Sequence, residues 1–204
     1  MTKPFTLFIT PSSPFARKCR IVARERGLMD RIEEIDAKLR TPANAVLAVS
    51  PLGKAPTLTG PDGLRLVDSS IISEYLDRLD GAPELHPDGW AARWRWSDYW
   101  ALAEGLLESL AWRTREFRRP PAERSPSFIA YEGERQARVY DWLEANVPAT
   151  LPRSVADIAL AIALDYAIYR FPEEDWRRGR PKLAAWFAQE SARDAFQATL
   201  LPLK

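Results

Sequence analysis

The chain opens on a short, nearly continuous apolar run, Phe5–Ile9, closed by Pro11. A run of that length bounded by a turn former reads as a buried strand. Behind it Phe15, Cys19 and Val22 recur at helical spacing, one stripe of a helix over Pro14–Glu25 that Gly27 ends in a left-handed cap. Residues 32–35 suit a second strand. Thr57–Thr59 and residues 64–67 flank Gly60-Pro61-Asp62-Gly63, a four-residue hairpin turn by composition. A further helix follows, with Ile72, Tyr75, Leu76 and Leu79 on one stripe. The order β-α-β then β-β-α demands a parallel crossover followed by a hairpin, the mark of a small mixed α/β sheet.

The pattern changes after Asp80. Residues 81–89 hold prolines, glycines and the single histidine, His86, and read as a linker. From Trp90 onward strand signals vanish. Trp96, Trp100, Leu107 and Leu110 repeat at helical spacing, as do Tyr140, Leu143 and Val147. Residues 154–169 are apolar almost all round, which predicts the central buried helix of a bundle. Pro181 opens a last helix over residues 182–190. The expected organisation is an α/β domain over residues 1–80, a linker over 81–89 and an all-helical domain over 90–204. The spacing of the eight tryptophans favours core packing.

Composition narrows the picture. With 204 residues the chain can bury a proper core, and 46% hydrophobic with 28% charged residues is an ordinary globular balance. A formal net charge of +1 leaves no global attraction to nucleic acid or an anionic membrane. Arg113, Arg115, Arg118, Arg119 and Arg124 form a local basic cluster that reads as a solvated helix end. No apolar signal or membrane-spanning stretch is visible, so a cytoplasmic location is expected. The one cysteine, Cys19, excludes an internal disulfide and lies on a core stripe as an inert thiol; His86 lacks a second ligand, so no metal site is expected.

Three segments carry candidate chemistry. Ser12 and Ser13 precede Pro14, which suits the first helical position because its missing N–H has no intrahelical partner anyway. Such a helix start aims backbone donors at one spot and favours an anion or thiolate, although two serines there also serve as plain caps. Ser50-Pro51-Leu52-Gly53-Lys54-Ala55-Pro56 leads into Thr57-Leu58, so Pro56 marks a strand start with a fixed turn, of which a cis bond is one form. Asp68-Ser69 is a second polar start before a helical stripe. Farther on, Ser154 and Asp157 have the spacing of a capping box, with Arg153 where a hydrophobic staple wants an apolar residue.

In this order the segments S-P-F-A-R-K, S-P-L-G-K-A-P-T-L and D-S-S-I-I-S-E-Y-L, with S-V-A-D at Ser154–Asp157, resemble the cytosolic glutathione transferases over essentially the whole chain. The resemblance implies a thioredoxin-like N-terminal domain followed by an all-helical C-terminal domain. It implies a serine-type active site in which Ser13, with Ser12 as fallback, donates to the glutathione sulfur. Ala55-Pro56 matches the loop that pairs with the cysteinyl amide. Asp68 and Ser69 match the pair that holds the γ-glutamyl end, with Asp in place of the family's longer Glu or Gln. Lys54, and more weakly Lys38, are candidates for the glycyl carboxylate. A free thiol with a pKa near 8.5 is only about 3% ionised at pH 7, so a hydroxyl donor and a helix start that favour the anion have work to do. Residues near Trp96, Trp100 and Trp112 are candidates for the electrophile pocket. The implied activity is conjugation of glutathione to a small electrophile in detoxification, with no cofactor beyond that co-substrate, by a homodimer that binds neither nucleic acid nor membrane. The alternative is a non-catalytic relative that keeps the fold as a ligand- or partner-binding surface. A thiol reductase would want cysteine at Ser13.

Overall fold

A computed structural model describes residues 3–146 and 154–202. The chain divides into two compact units, one formed by residues up to 88 together with 194–202, the other by residues 89–193. The first carries a four-stranded mixed sheet and the second is helical, the thioredoxin-like and helical architecture that the sequence implied.

In the first unit β1 (Phe5–Ile9), β2 (Ile32–Asp36), β3 (Thr57–Thr59) and β4 (Arg65–Val67) lie in the order β2-β1-β3-β4. β1 runs parallel to β2 and antiparallel to β3, and β3 runs antiparallel to β4. A central strand has both faces covered, which explains why Phe5, Leu7, Phe8 and Ile9 are all buried. Side chains alternate along it. Phe5 meets the ring of Tyr75 on α2 (Ser69–Arg78). Phe8 joins Ala37 and Val46 in a separate small cluster. α1 (Pro14–Glu25) packs against α2. It ends as its sequence predicts, with Gly27 at φ +66°, a conformation that costs glycine little. Gly60 opens the turn into β4; a Cβ there would stand 2.6 Å from the Phe5 ring, so only glycine fits without a shift.

The helical unit contains α3 (Trp90–Phe117), α4 (Pro126–Ala145), α5 (Val155–Arg170) and α6 (Pro181–Ser191). α5 is the predicted central helix, packed against α3 and α6, with every residue from Val155 to Leu164 buried. Its start is closed by the expected capping box: the Asp157 carboxylate accepts from the Ser154 N–H at 2.7 Å and from the Ser154 hydroxyl at 2.8 Å. The Trp96 indole N–H also donates to that hydroxyl. Val147 and Arg153, invoked in the helical stripe and the staple, lie outside the described residues.

Several expectations are corrected. α6 is not the last helix: α7 (Asp194–Gln197) follows it and groups with the first unit, so the helical unit ends at Arg193. The fastening is Arg17 on α1, 1% exposed, which donates to Thr199 Oγ1 and to the Phe196 carbonyl, each at 3.3 Å. Its guanidinium lies 4.0 Å from the centre of the Phe196 ring. Arg113 does not belong to a solvated basic patch. It is buried, its guanidinium grips Glu174 through two 2.6 Å hydrogen bonds, and it also reaches Gln136, because α3 turns this face inward. Nor are the tryptophans uniformly core residues. Trp176 is buried, yet Trp90 and Trp94 are 74% and 59% exposed and stack edge-on, and Trp112 and Trp142 are also exposed. Helical periodicity assigns a stripe but cannot say which stripe finds a partner within one chain.

His86 is likewise no bystander in a loose linker. It is buried, and its Nδ1 lies 2.9 Å from the Asp77 carboxylate on α2. The same carboxylate accepts the backbone N–H groups of Glu84, Leu85 and His86, and Arg26 stands 3.3 Å away. Burial alone would raise the Asp77 pKa. The bonds from the His86 ring and from the backbone of Glu84, His86 and Leu85 outweigh that cost and lower it to about 2.

Candidate functional site

The sheet register brings the three sequence segments to one edge. β1 ends at Ile9 and leads into Ser12 and Ser13; β3 begins at Thr57, which pairs with Phe8; β4 ends at Val67, opposite Thr57. The residues after β1, before β3 and after β4 therefore emerge side by side from three adjacent strands. β2 also ends at this edge, since it parallels β1 and pairs Asp36 with Ile9. That places Lys38 one strand farther out.

Thr10 through Ser13 form a turn, with the Ser13 N–H bonded to the Thr10 carbonyl at 2.9 Å. Ser13 is the N-cap of α1: its backbone is extended (φ −84°, ψ 120°) and its Oγ accepts from the Ala16 N–H at 3.2 Å. Capping uses a lone pair of the hydroxyl and leaves the O–H hydrogen free to donate outward. The Phe15 N–H, in the first turn, has no intrahelical acceptor and points with the helix start. A cap and a thiolate donor are thus compatible roles for one serine. Ser12 sits one position earlier, half-buried in the turn.

Across the edge the Ala55-Pro56 bond is cis. Pro56 is buried and Ala55 is half-buried, while the Lys54 side chain is exposed and its carbonyl accepts from Thr57 Oγ1 at 2.8 Å. At the third segment Asp68 takes φ +80°, ψ 130°, a conformation that a residue with a side chain rarely adopts. Its Oδ1 caps α2 by accepting from the Ser70 N–H at 2.8 Å. Strain of this kind persists only where surrounding structure imposes it, and it gathers at functional sites. Ser69 is the first residue of α2 and is buried, with its carbonyl accepting from the Cys19 thiol at 3.5 Å. Lys38 is exposed at φ +46°, its N–H bonded to Asp36 and its carbonyl accepting from Thr41.

One residue of this edge was missed. Lys18 is completely buried and its ammonium donates to Ser70 Oγ at 3.2 Å, in the first turn of α2. Its position is visible in hindsight: Lys18 stands beside Cys19 and four residues before Val22 on the buried side of α1, so a cation there is buried with them.

Of the tryptophans proposed to line a pocket, Trp96 and Trp100 stand together and Trp112 is exposed. Trp96 and Trp100 stack on each other with centroids 4.9 Å apart. A cavity of about 210 Å³ in the helical unit is lined by residues that include Tyr140, Phe171, Glu174 and Trp176. Among the described residues no group of three or more His, Cys, Asp or Glu is gathered as metal ligands, and no helix is long and apolar enough to cross a membrane.

Comparison with known proteins fits this geometry. The family models for the glutathione S-transferase N-terminal and C-terminal domains match residues 12–79 and 132–189. YibF of Escherichia coli K12, an uncharacterized GST-like protein, is 32% identical over 195 residues, 94% of this chain and 96% of that protein. A glutathione transferase family member from Pseudomonas fluorescens Pf-5, crystallised with bound glutathione, matches with a TM-score of 0.87 at 32% identity, over 98% of this chain and 100% of that one. A glutathione S-transferase from Methylobacillus flagellatus KT, also with glutathione bound, matches at 0.89 and 30% identity, over 97% and 100%. A helix-start serine, a cis-proline loop and a capped second helix at one sheet edge, in a chain so similar over its whole length to these proteins, place it in the glutathione S-transferase family.

Proposed function

We propose that this protein is a glutathione transferase that joins the glutathione thiolate to a small electrophile. The observation that carries the reading is the convergence of Ser13, Ala55-Pro56 and Asp68-Ser69 at one sheet edge. In this reading the Ser13 hydroxyl, already held as the α1 cap, donates to the sulfur and favours its ionised form. The Ala55 backbone pairs with the cysteinyl amide as an added strand would. Ser69 and the start of α2 receive the γ-glutamyl carboxylate, and the second Asp68 oxygen faces its ammonium. Lys54 meets the glycyl carboxylate, with Lys38 as a weaker second. The thiolate then attacks the electrophilic carbon, a C–S bond forms, and the leaving group departs with its electron pair. Positioning and thiolate stabilisation supply the catalysis, with no cofactor beyond glutathione. The glutathione-bound relatives support the ligand assignment.

The same reading includes a cytoplasmic homodimer. The exposed Trp90 and Trp94 give it support, as they are more apolar surface than a lone subunit is expected to leave in water. Light scattering at micromolar concentration should give twice 23.2 kDa; a single-subunit mass refutes the dimer.

Turnover of a generic aryl halide with glutathione tests the enzyme reading. Activity that falls in Ser13→Ala and survives in Ser12→Ala supports it. A second reading, a glutathione-transferase-like protein that binds without catalysis, is favoured by the short Asp68, whose carboxylate already serves as a cap. Glutathione binding without turnover of any aryl or alkyl halide would select that alternative.

A further inference from the structure

We propose that the cavity inside the helical unit is a binding site for a small neutral phenol, a single aromatic ring bearing a hydroxyl. Every residue that lines it belongs to the helical unit, so the proposal does not rest on the glutathione reading of the sheet edge.

The cavity arises from side-chain size. Gly133 and Ala137 stand one turn apart on α4, Ala167 stands on α5, and residues of the segment 171–180 complete the wall. Small residues where two helices and a loop meet leave about 210 Å³. Protein interiors keep few voids larger than a water molecule, and about 150 Å³ between apolar side chains is enough to take up benzene. The space here therefore suits one ring and a substituent. Tyr140, Phe171 and Trp176 give the wall aromatic surface, which favours an aromatic guest. Ala137 is exposed and the Glu174 side chain is 52% exposed, so the cavity opens to solvent on that side.

The charges around it are already paired. Glu174 is held by Arg113 through two 2.6 Å bonds, Arg180 donates to Asp141 at 2.9 Å, and Arg177 donates to Asp175 at 2.7 Å. A charged guest would give up its hydration without finding an unpaired opposite charge among the described residues of the wall. Two neutral groups are committed as well: the Trp176 indole N–H donates to the Leu164 carbonyl, and the Gln136 amide bonds Arg113 and Ser109.

Tyr140 is different. It is 7% exposed, it lines the cavity, and its hydroxyl has no hydrogen-bond partner among the described residues. The charges of Arg113, Glu174 and Arg180 all act on that hydroxyl, and Glu174 and Arg180 are cavity residues, so the hydroxyl end of the ring lies on the cavity side. Burial, against the opposing pull of Arg113 and Arg180, raises its pKa above the ordinary value, so it stays protonated and can both donate and accept. A buried hydroxyl without a partner is a cost that a guest oxygen removes. A phenol brings such an oxygen on a ring that the aromatic walls can cover.

The test titrates the native protein and two variants with phenol and with benzene, in the absence of glutathione, and follows the chemical shifts of backbone and indole N–H groups. The native protein should bind phenol saturably, with the shifts centred on residues 133–140 and 171–180. Benzene should bind about threefold to tenfold more weakly, the worth of one net hydrogen bond. Tyr140→Phe keeps the ring and removes the hydroxyl. Its affinity for phenol should fall to that for benzene, its affinity for benzene should not change, and its thermal midpoint should not drop, because no internal partner is lost. Ala137→Leu, at the exposed rim, should weaken both ligands about tenfold or more by obstructing the entrance. If that variant does not fold, the Tyr140→Phe arm decides alone. No saturable shift with phenol would show that the space holds water only and would overturn the proposal. Equal affinity of the native protein for phenol and benzene would overturn it too, as would equal losses of both ligands in Tyr140→Phe. Tighter binding of benzoate or anilinium than of phenol would refute the neutral guest. Protein that binds phenol and not glutathione leaves this site standing and removes only the reading of the sheet edge.

Discussion

The sheet edge of the first unit and the interior of the helical unit both gather hydroxyls and charges, with opposite results. In the helical unit the network around Arg113 uses most of its polar groups. Arg113 holds Glu174 through two bonds and reaches the Gln136 amide oxygen, and the Gln136 amide nitrogen donates to Ser109. Of the Arg113 guanidinium only Nε lacks a partner among the described residues. Two helices and a loop are tied in this way, and the network has little left to offer a ligand. At the sheet edge the groups keep capacity in reserve. Ser13 accepts from Ala16 and retains its own hydrogen, Asp68 uses one oxygen and retains the other, and Lys54 points into solvent. Saturated polar groups stabilise a fold; unsaturated ones held in place can recognise something.

That contrast can be broken by mutation. The largest effect should come from Arg113→Met, which strands Gln136 and leaves Glu174 alone; because Glu174 is half-exposed, a loss of about 2–3 kcal/mol is expected rather than the larger cost of a fully buried pair. Thermal unfolding should show it, and glutathione conjugation measured well below the midpoint should not change. A loss of activity without loss of stability would erase the distinction between the two regions.

The Asp77 cluster offers a pH test inside the first unit. Its folded pKa, about 2, lies below the ordinary 3.8, so its contribution is complete above the ordinary value and is lost as pH falls through the folded one. The native protein should lose on the order of 2 kcal/mol across that acid window from this group, and Asp77→Asn should flatten that part of the profile. Chemical unfolding at a series of pH values checks it.

Ser13 sharpens the comparison because it has both kinds of role. Ser13→Ala should raise the pKa of bound glutathione by about one to two units and slow conjugation near neutral pH about tenfold or more. It should also lose about 1 kcal/mol of helix capping. Ser13→Gly should show the same catalytic loss at a cost of only a few tenths of a kcal/mol, since glycine caps nearly as well. Thiolate absorbance titration and thermal unfolding separate the two effects, with Ser12→Ala as the control. The smallest change is expected of Ser69→Ala, a several-fold weaker binding of glutathione by calorimetry with stability little altered. Unchanged affinity would move the γ-glutamyl contact off Ser69.

The legibility of these features in the sequence was uneven. Strand β1, helix α1 with its Gly27 stop, the hairpin glycines and the central helix α5 all announce themselves, because each depends on residues near one another in the chain. The helix-start serine, the proline loop and the capping box are local for the same reason. His86 and Lys18 were not legible in that way. His86 stands in a stretch of prolines and glycines, and the Asp77 carboxylate on α2 draws Leu85 and His86 of that stretch into buried positions. Lys18 was passed over because a lysine on a helix is ordinarily solvated.

By itself the sequence determined the strands and the first two helices of the first unit, the caps that begin those helices and the identity of the polar groups at its sheet edge, since propensity, turn chemistry and capping act over a few residues. Only the tertiary structure decided that Arg17 would fasten the C-terminal segment while Lys18, its neighbour, would sit beneath the start of α2. It decided too that Arg113 would be buried and Trp90 exposed. The physical reason is the same each time. Burial and the partner of a charge depend on which distant segment arrives at a face, and that is a property of packing and long-range pairing.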